Sequence, residues 1–190
     1  EDSKLDLKIQ KTSNDTYLRA QNIESKIINN TSTLENSINL DLYSDDLSID
    51  ANLTVYESLD KLRSDRYEYI PRVNLSKKIK NKTKLKGDFV FNNNNLVKNY
   101  NTNIVETINI NDLTFNSEPK ITKKGFYNNY EFIIKNANTD AHNSTSYKNH
   151  ESHYISGLLQ LNSTLPLVRE NDNFQNILSP KIALKISPDY

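Results

Sequence analysis

The residues best suited to metal chemistry are three histidines, His142, His150 and His153, of which the last two lie in His150-Glu151-Ser152-His153. A protein zinc site needs imidazole, thiolate or carboxylate ligands that converge in a fixed geometry. Positions three apart in a strand point to opposite faces, so the side chains of His150 and His153 would diverge. We therefore predict solvated histidines in loops and at strand edges, with no metal and no other cofactor.

Acidic residues lie close together at Asp45-Asp46 and at Asp65 with Glu68. General acid–base catalysis needs carboxyl groups held in contrasting environments within a cleft, whereas these residues fall in turns or at the start of a strand. The chain has 3 glycines, too few and too scattered for a phosphate-binding loop, and no nucleophile elbow. The sequence therefore predicts no catalytic residues, and we expect a protein that is not an enzyme.

One local run of positive charge is present, Lys77-Lys78-Ile79-Lys80-Asn81-Lys82-Thr83-Lys84. Such a run could contact anionic lipid headgroups or the phosphates of lipopolysaccharide. It could equally be a solvated hairpin end whose charges discourage edge-to-edge pairing of strands. The second interpretation is favoured at this stage, because acidic residues elsewhere balance the charge of the whole chain.

Composition restricts the possible classes of protein. Only 35% of the 190 residues are hydrophobic, yet 11 Tyr and 6 Phe are present, and 24 basic residues balance 24 acidic ones. Disordered chains usually carry net charge and few aromatic residues, and nucleic-acid-binding proteins carry a basic stripe, so neither class fits.

Cysteine is absent, which excludes disulfides. No apolar run approaches the ~20 residues of a membrane helix. The chain begins at Glu1-Asp2-Ser3 without a signal peptide, so we expect an internal fragment.

Apolar residues recur at alternate positions, which is the period of a strand with one apolar and one polar face. We predict an all-β fold, an antiparallel meander of roughly eight amphipathic strands. The alternating sets are Leu5–Ile9, Ile38–Leu42, Ile49–Val55, Tyr67–Leu75, Gly87–Phe91, Tyr130–Ile134, Ile155–Leu167 and Ile182–Ile186.

Polar segments separate these strands. Tyr43-Ser44-Asp45-Asp46 is predicted to be a tight turn, and Asn92–Asn95 and Asn109–Asp112 are predicted to be turns because Asn and Asp tolerate left-handed backbone conformations. Longer loops are predicted at Ser58–Arg66 and Asn136–Ser152. No domain boundary is evident, so residues 1–190 are treated as one domain.

Three features favour a membrane barrel over a soluble sheet. The polar face carries Asp, Asn, Lys and Arg, and several strands reach the about 9–11 residues that a tilted membrane strand needs. Tyr67, Tyr69 and Tyr154 fit an interfacial aromatic girdle. Glu106 opposes this interpretation, because it shares a face with Ile104 and Ile108, and a lipid-facing carboxylate is costly at mid-membrane. A bulge or a different strand phase would resolve that conflict.

Six segments are distinctive in their order and spacing: Ser13-Asn14-Asp15-Thr16-Tyr17-Leu18-Arg19, Ser64–Val73, Gly125–Tyr130, Lys135–Asn138, Gly157–Leu161 and Ser179–Pro188. Together they resemble the LptD (OstA/Imp) family of lipopolysaccharide-assembly proteins, in its alphaproteobacterial type. The resemblance runs from near the N-terminus to the last residues.

The resemblance implies the first part of a transmembrane outer-membrane β-barrel, an open curved sheet as a fragment, without the N-terminal jelly-roll and the later strands. It implies insertion of lipopolysaccharide into the outer leaflet of the Gram-negative outer membrane. The implied partners are lipopolysaccharide, an LptE-like lipoprotein plug, periplasmic bridge proteins and outer-membrane lipid, with no nucleic acid. The cysteines that link domains in some members have no counterpart here.

Two other classes remain open on the sequence alone. A porin or an autotransporter translocator shares the alternation of strands, and a secreted soluble β-sandwich adhesin shares it as well. The barrel interpretation predicts that Leu159 faces lipid and that Gln160 faces the lumen. Which residues contact lipopolysaccharide is not indicated by the sequence.

Overall fold

The computed structural model describes residues 2–24, 30–62, 65–81, 83–100, 103–171 and 174–188. The fold is all-β and antiparallel, as predicted, with one short helix among the described residues. The strands are β1 (Asp2–Lys8), β2 (Thr33–Tyr43), β3 (Leu47–Ser58), β4 (Tyr67–Ile79), β5 (Gly87–Tyr100), β6 (Ile104–Ser117), β7 (Lys120–Ile121), β8 (Tyr127–His142), β9 (Ser152–Thr164), β10 (Leu167–Asn171), β11 (Phe174–Leu178) and β12 (Lys181–Ile186), and the helix α1 is Tyr17–Ala20.

Ten of the described strands form a single sheet in the order β1-β2-β3-β4-β5-β6-β8-β9-β12, with β7 paired to β8. Neighbours in the sheet are neighbours in sequence except where β7 and the separate hairpin β10–β11 interrupt the chain. This is the expected meander. The described residues form twelve strands, where alternation predicts roughly eight. The long strand β6 is absent from the predicted sets, because the turn predicted at Asn109–Asp112 lies inside it. The short strands β7, β10 and β11 are absent because they have little periodicity of their own.

The predicted turn at Tyr43–Asp46 is confirmed. Strand β2 ends at Tyr43 and β3 begins at Leu47. The amide of Ser44 donates to the carbonyl of Leu47 over 2.8 Å, and the amide of Leu47 donates back to Ser44 over 3.3 Å. This closed turn sets the register of the hairpin, in which Leu42 lies opposite Ile49 and Leu40 opposite Ala51.

Two predicted turns are wrong. Asn92–Asn95 lies inside β5, and Asn109–Asp112 lies inside β6. The predicted loop at Asn136–Ser152 is too long, because β8 continues to His142. The loop predicted at Ser58–Arg66 is present between β3 and β4, although residues 63 and 64 lie outside the described part of the chain. Strand β9 ends at Thr164, so the alternation that continues to Leu167 crosses into β10.

Two compact units make up the chain. The first contains residues 1–77, 92–111 and 137–154, and the second contains residues 78–91, 112–136 and 155–190. In the first unit the small buried cluster Leu18, Leu34 and Leu59 packs helix α1 onto the ends of β2 and β3. In the second unit the ring of Phe115 lies 4.6 Å from that of Phe89 and 5.7 Å from that of Tyr130, between centroids.

Candidate functional site

The apolar side chains of the first unit form rows across neighbouring strands. One row runs from Leu7 through Ile38 and Leu53 to Pro71, because these residues are register partners in β1, β2, β3 and β4. A second row consists of Leu5, Leu40, Ala51 and Val73. Leu5 and Leu7 are 64% and 63% exposed, and Ile38, Leu40, Leu53 and Val73 are also exposed. The sheet of this unit therefore presents a continuous apolar surface to its surroundings.

The second unit has a matching surface on β9 and β12. Leu159 lies opposite Ile186, and Leu161 opposite Leu184. All four side chains are exposed, whereas Gln160 is half-buried and its amide donates to Asn162 Oδ1 over 2.8 Å. Soluble monomers rarely leave contiguous apolar surface of this extent open to water. The alternation read from the sequence is therefore present as two chemically distinct faces.

The opposite face of the first unit is polar, and its side chains bond to one another. The amide of Asn52 donates to its register partner Asn39, and Thr54 Oγ1 donates to Asn52 Oδ1 over 2.9 Å. Asn74 donates to the carboxylate of its partner Asp50 over 2.9 Å. Cross-strand polar pairs of this kind add to the backbone ladder in fixing the register of the sheet.

Four asparagines on β5 and β6 form a closed ring of amide hydrogen bonds, here called the amide ring. Asn93 donates to Asn111 over 2.6 Å, and Asn111 donates to Asn109 over 2.6 Å. Asn109 then donates to Asn95, and Asn95 donates back to Asn93. Each amide in the ring thus acts once as a donor and once as an acceptor.

The amide ring extends onto two further strands. The Asn138 side-chain amide of β8 donates to Asn109 Oδ1 over 3.4 Å, and Asn138 Oδ1 lies 2.8 Å from Nδ1 of His153 on β9. The sequence does not predict this network, because runs of Asn favour turns over strands. The signal for it is the spacing of the asparagines: Asn93 and Asn95 are two positions apart, as are Asn109 and Asn111, and residues two apart share one face of a strand.

Glu106 is one of the few buried charged residues, with 7% of its surface exposed. Its Oε1 accepts hydrogen bonds from the Tyr100 hydroxyl over 3.0 Å and from the Ser144 hydroxyl over 2.5 Å. The Ser144 hydroxyl oxygen in turn accepts from the amides of Ser146 and Tyr147. The conflict noted in the sequence is resolved, since this carboxylate faces protein groups and holds the loop between β8 and β9.

An ion-pair cluster around Arg66 joins the segment that contains α1 to the β3–β4 hairpin. The guanidinium binds Asp15 with two bonds of 2.8 and 2.6 Å, and its Nε donates to Glu57 Oε1 over 2.7 Å. Arg19 forms a second ion pair with Asp60. The hydrogen bond from Arg66 lowers the pKa of the Asp15 carboxyl, so this tie is formed at neutral pH and is lost as pH falls through that lowered pKa.

The other residues considered in the sequence remain apart. His150 lies in the loop before β9, while His153 lies on β9 and faces Asn138. His142 lies 3.9 Å from Asp140, measured from Nε2 to Oδ2, at the end of β8. Asp45 and Asp46 occupy the β2–β3 turn, and Asp65 precedes Arg66. Within the described ranges, no three His, Cys, Asp or Glu side chains come together in a way that could hold a metal ion.

The tyrosines predicted to form a girdle are exposed. The rings of Tyr67 and Tyr69 at the start of β4 are 6.2 Å apart between centroids, and Tyr154 on β9 is 56% exposed. Exposed tyrosine at the end of an amphipathic strand suits a boundary between an apolar and an aqueous phase, because the ring prefers the former and the hydroxyl the latter.

Comparison with known proteins gives no assignment: neither a protein-family model nor a curated protein matches this chain. Within the part of the chain that the structure describes, no helix has the length and apolar character needed to cross a membrane.

Proposed function

We propose that this chain is a segment of a transmembrane β-barrel in the outer membrane of a Gram-negative bacterium. The observation that carries the proposal is the exposed apolar face, which runs in register across β1 to β4 in one unit and across β9 and β12 in the other. The strands β2 to β6, β8 and β9 have 11 to 16 residues, enough to cross a bilayer core at the tilt of barrel strands.

The polar face supports the same proposal. A barrel interior must satisfy its polar side chains without an apolar core, and the pairs and the amide ring described above do so within the sheet. The backbone is also suited to a membrane, because ladder pairing satisfies amides and carbonyls that lipid cannot. Lipid transport needs such a surface and no catalytic residue.

Within this class we propose lipopolysaccharide transport and insertion into the outer leaflet. The basis for this finer proposal is the resemblance to the LptD family. Lipopolysaccharide, an LptE-like lipoprotein in the barrel interior and periplasmic bridge proteins are the partners proposed with it.

Depletion of the full-length protein in cells is the experiment that tests the proposal. Membrane fractionation places the protein, and a surface lipopolysaccharide assay reports transport. We expect the protein in the outer membrane, with lipopolysaccharide lost from the surface within a few generations of depletion. Outer-membrane location with unchanged surface lipopolysaccharide would indicate another barrel, such as a porin or an autotransporter translocator. A soluble location would refute the membrane proposal and favour an adhesin.

A further inference from the structure

The second unit carries two lysine-rich turns that lie side by side. The first links β4 to β5, and the second links β6 to β8 through β7. The amide of Glu118 in the second turn donates to the carbonyl of Lys86 in the first over 3.0 Å. The exposed lysines of these two turns and of the adjoining end of β4 define the basic surface: Lys78, Lys80, Lys84, Lys86, Lys120, Lys123 and Lys124.

These lysines are not neutralised by ion pairs. Among the described residues, the ion pairs of lysine and arginine include those of Lys4, Lys98, Lys135, Arg19 and Arg66, and none involves a lysine of the basic surface. The acidic residues of the two turns and their flanks, 78–88 and 118–127, are Asp88 and Glu118. The charge balance of the whole chain therefore conceals a local excess of positive charge.

Both turns are held in shape by hydrogen bonds. Asn81 donates to the carbonyls of Leu85 and Gly87 over 2.6 and 2.8 Å, and its oxygen accepts from the Thr83 amide over 2.8 Å. In the second turn, Thr122 and Phe126 close a backbone bond of 2.9 Å, and Gly125 has a positive φ of 84°. The described residues of both turns are therefore tied to one another by these bonds, close to the lysines that they carry.

Exposed apolar side chains alternate with the lysines. Ile79 lies at the end of β4 and Leu85 in the first turn, and Ile121 and Phe126 lie in the second, with Ile121 69% exposed. An apolar groove of about 430 Å³ opens beside Lys120, lined by Tyr130, Leu161, Ile182 and Leu184 among other residues, with the Glu118 side chain also at its wall. Cationic ends of long side chains next to apolar surface match the boundary between lipid headgroups and acyl chains.

We propose that the basic surface binds the phosphate headgroup of an anionic membrane lipid, with an acyl chain of that lipid in the adjoining groove. This proposal extends the proposed function but rests on local geometry, so it holds for any barrel that borders an anionic leaflet. A soluble phosphate ligand would use the lysines and leave the groove and the exposed apolar residues without a role. The combination of charge and apolar surface thus selects a lipid.

The test measures binding of a fluorescent phosphatidylglycerol to the full-length protein in dodecyl maltoside micelles. One variant carries Lys80→Gln, Lys84→Gln and Lys86→Gln, and a second carries Lys120→Gln, Lys123→Gln and Lys124→Gln. A matched control carries Lys8→Gln, Lys11→Gln and Lys148→Gln, which are exposed lysines outside the basic surface. A lysine near an anionic surface is worth about 1 kcal/mol, or about fivefold in affinity, so we expect each variant to lose at least about tenfold.

The control should bind within about twofold of the unchanged protein, and raised salt should weaken binding, because exposed charges are screened. The proposal would be overturned if the two basic-surface variants bound phosphatidylglycerol as tightly as the control variant does. It would also be overturned if the unchanged protein bound phosphatidylcholine with the same label as tightly as phosphatidylglycerol. Displacement of the probe by millimolar glycerol 3-phosphate would show that the headgroup alone suffices and would also overturn it. The assay in micelles does not depend on cellular location, so it can succeed or fail separately from the proposed function.

Discussion

Arg66 shows how a single residue links distant parts of the sequence. Its guanidinium bridges Asp15, in the segment before α1, and Glu57, near the end of β3. Its backbone carbonyl accepts from the Ser58 amide over 2.8 Å, which fixes the position of the side chain. The two bonds to Asp15 use the fork geometry of guanidinium, which a lysine ammonium cannot reproduce.

We therefore predict that Arg66→Lys loosens the segment that contains α1 without unfolding the sheet. Hydrogen exchange of the amides of Ala20, Gln21 and Ile23, which are bonded within this segment, should become severalfold faster. Exchange in β2 and β3 should stay unchanged. Arg72→Lys is the matched control, an exposed arginine on β4, and an equal effect there would show that the fork geometry of Arg66 is unimportant.

Glu106 on β6 accepts hydrogen bonds from the hydroxyls of Tyr100 and Ser144. Glu106→Leu leaves the hydroxyls of Tyr100 and Ser144 without their acceptor, and an unsatisfied buried polar group costs about 1–3 kcal/mol. We expect lower thermal stability and faster protease cleavage within residues 143–151. Glu106→Gln retains an acceptor oxygen, so most of the stability should be kept. A Leu variant as stable as the Gln variant would contradict this account of the loop.

Residue-scale features were only partly predictable from the sequence. The exposure of Leu159 and Leu161 followed from alternation alone, because period two assigns alternate side chains to opposite faces. The bonds of Arg66 and Glu106 join positions up to 51 residues apart, and no local pattern encodes them. Such contacts depend on strand register, which the sequence leaves undetermined.

At the scale of elements, the asparagines follow their turn preference in the loops but not in β5 and β6, where turns were wrongly predicted. Asn22, Asn103 and Asn143 adopt positive φ values in loops, as the preference of Asn for left-handed conformations predicts. The same residue type forms the amide ring in the middle of β5 and β6. Turn propensity was overridden there because each amide is satisfied by another across the sheet. Composition alone cannot separate these two uses of Asn.

Gly87, the first residue of β5, packs too closely against β6 to leave room for a side chain. Its φ is +149°, and a Cβ atom there would lie 2.7 Å from Cζ of Phe115 and 2.8 Å from Cα of Ser117. We expect Gly87→Ala to force β5 away from β6 locally and to destabilise the protein by about 1–3 kcal/mol. Gly157→Ala is the matched control, since the nearest atom to its Cβ would be the Ile133 carbonyl oxygen at 3.8 Å. Equal unfolding temperatures for the two variants would refute the close packing at Gly87.

At the scale of the whole molecule, the two faces of the sheet decide how the protein meets its surroundings. Period two in the sequence predicted the all-β meander correctly, because most of the long strands carry their own alternation. The long strand β6 was not among the predicted strands, since its asparagines predicted a turn. The separate hairpin β10–β11 and the short β7 were not predicted either, since five residues or fewer give too few alternations. The transmembrane assignment remains a prediction that rests on the exposed apolar rows.

Leu159 and its neighbour Gln160 test that assignment. Leu159→Arg places a charge on the apolar face, which costs about 2–4 kcal/mol at the bilayer midplane and less near the interfaces. We expect that variant of the full-length protein to fail in outer-membrane assembly and to be degraded. Gln160→Arg changes the polar face and should be tolerated. Equal levels of both variants in the outer membrane would remove the support for a lipid-facing Leu159.

The four hydrogen bonds of the amide ring run in the same sense around it, and this sets the electrostatic field of that part of the sheet. Its four side-chain dipoles follow one another head to tail and return to the start, so most of their sum cancels. That part of the polar face is wettable yet carries neither net charge nor a large net dipole. A neutral amide patch of this kind matches water and neutral hydroxyl groups better than it matches an ion, which needs an opposite charge or an aligned dipole. Such a patch should keep its character across changes of salt and pH that alter every surface built from lysine and carboxylate.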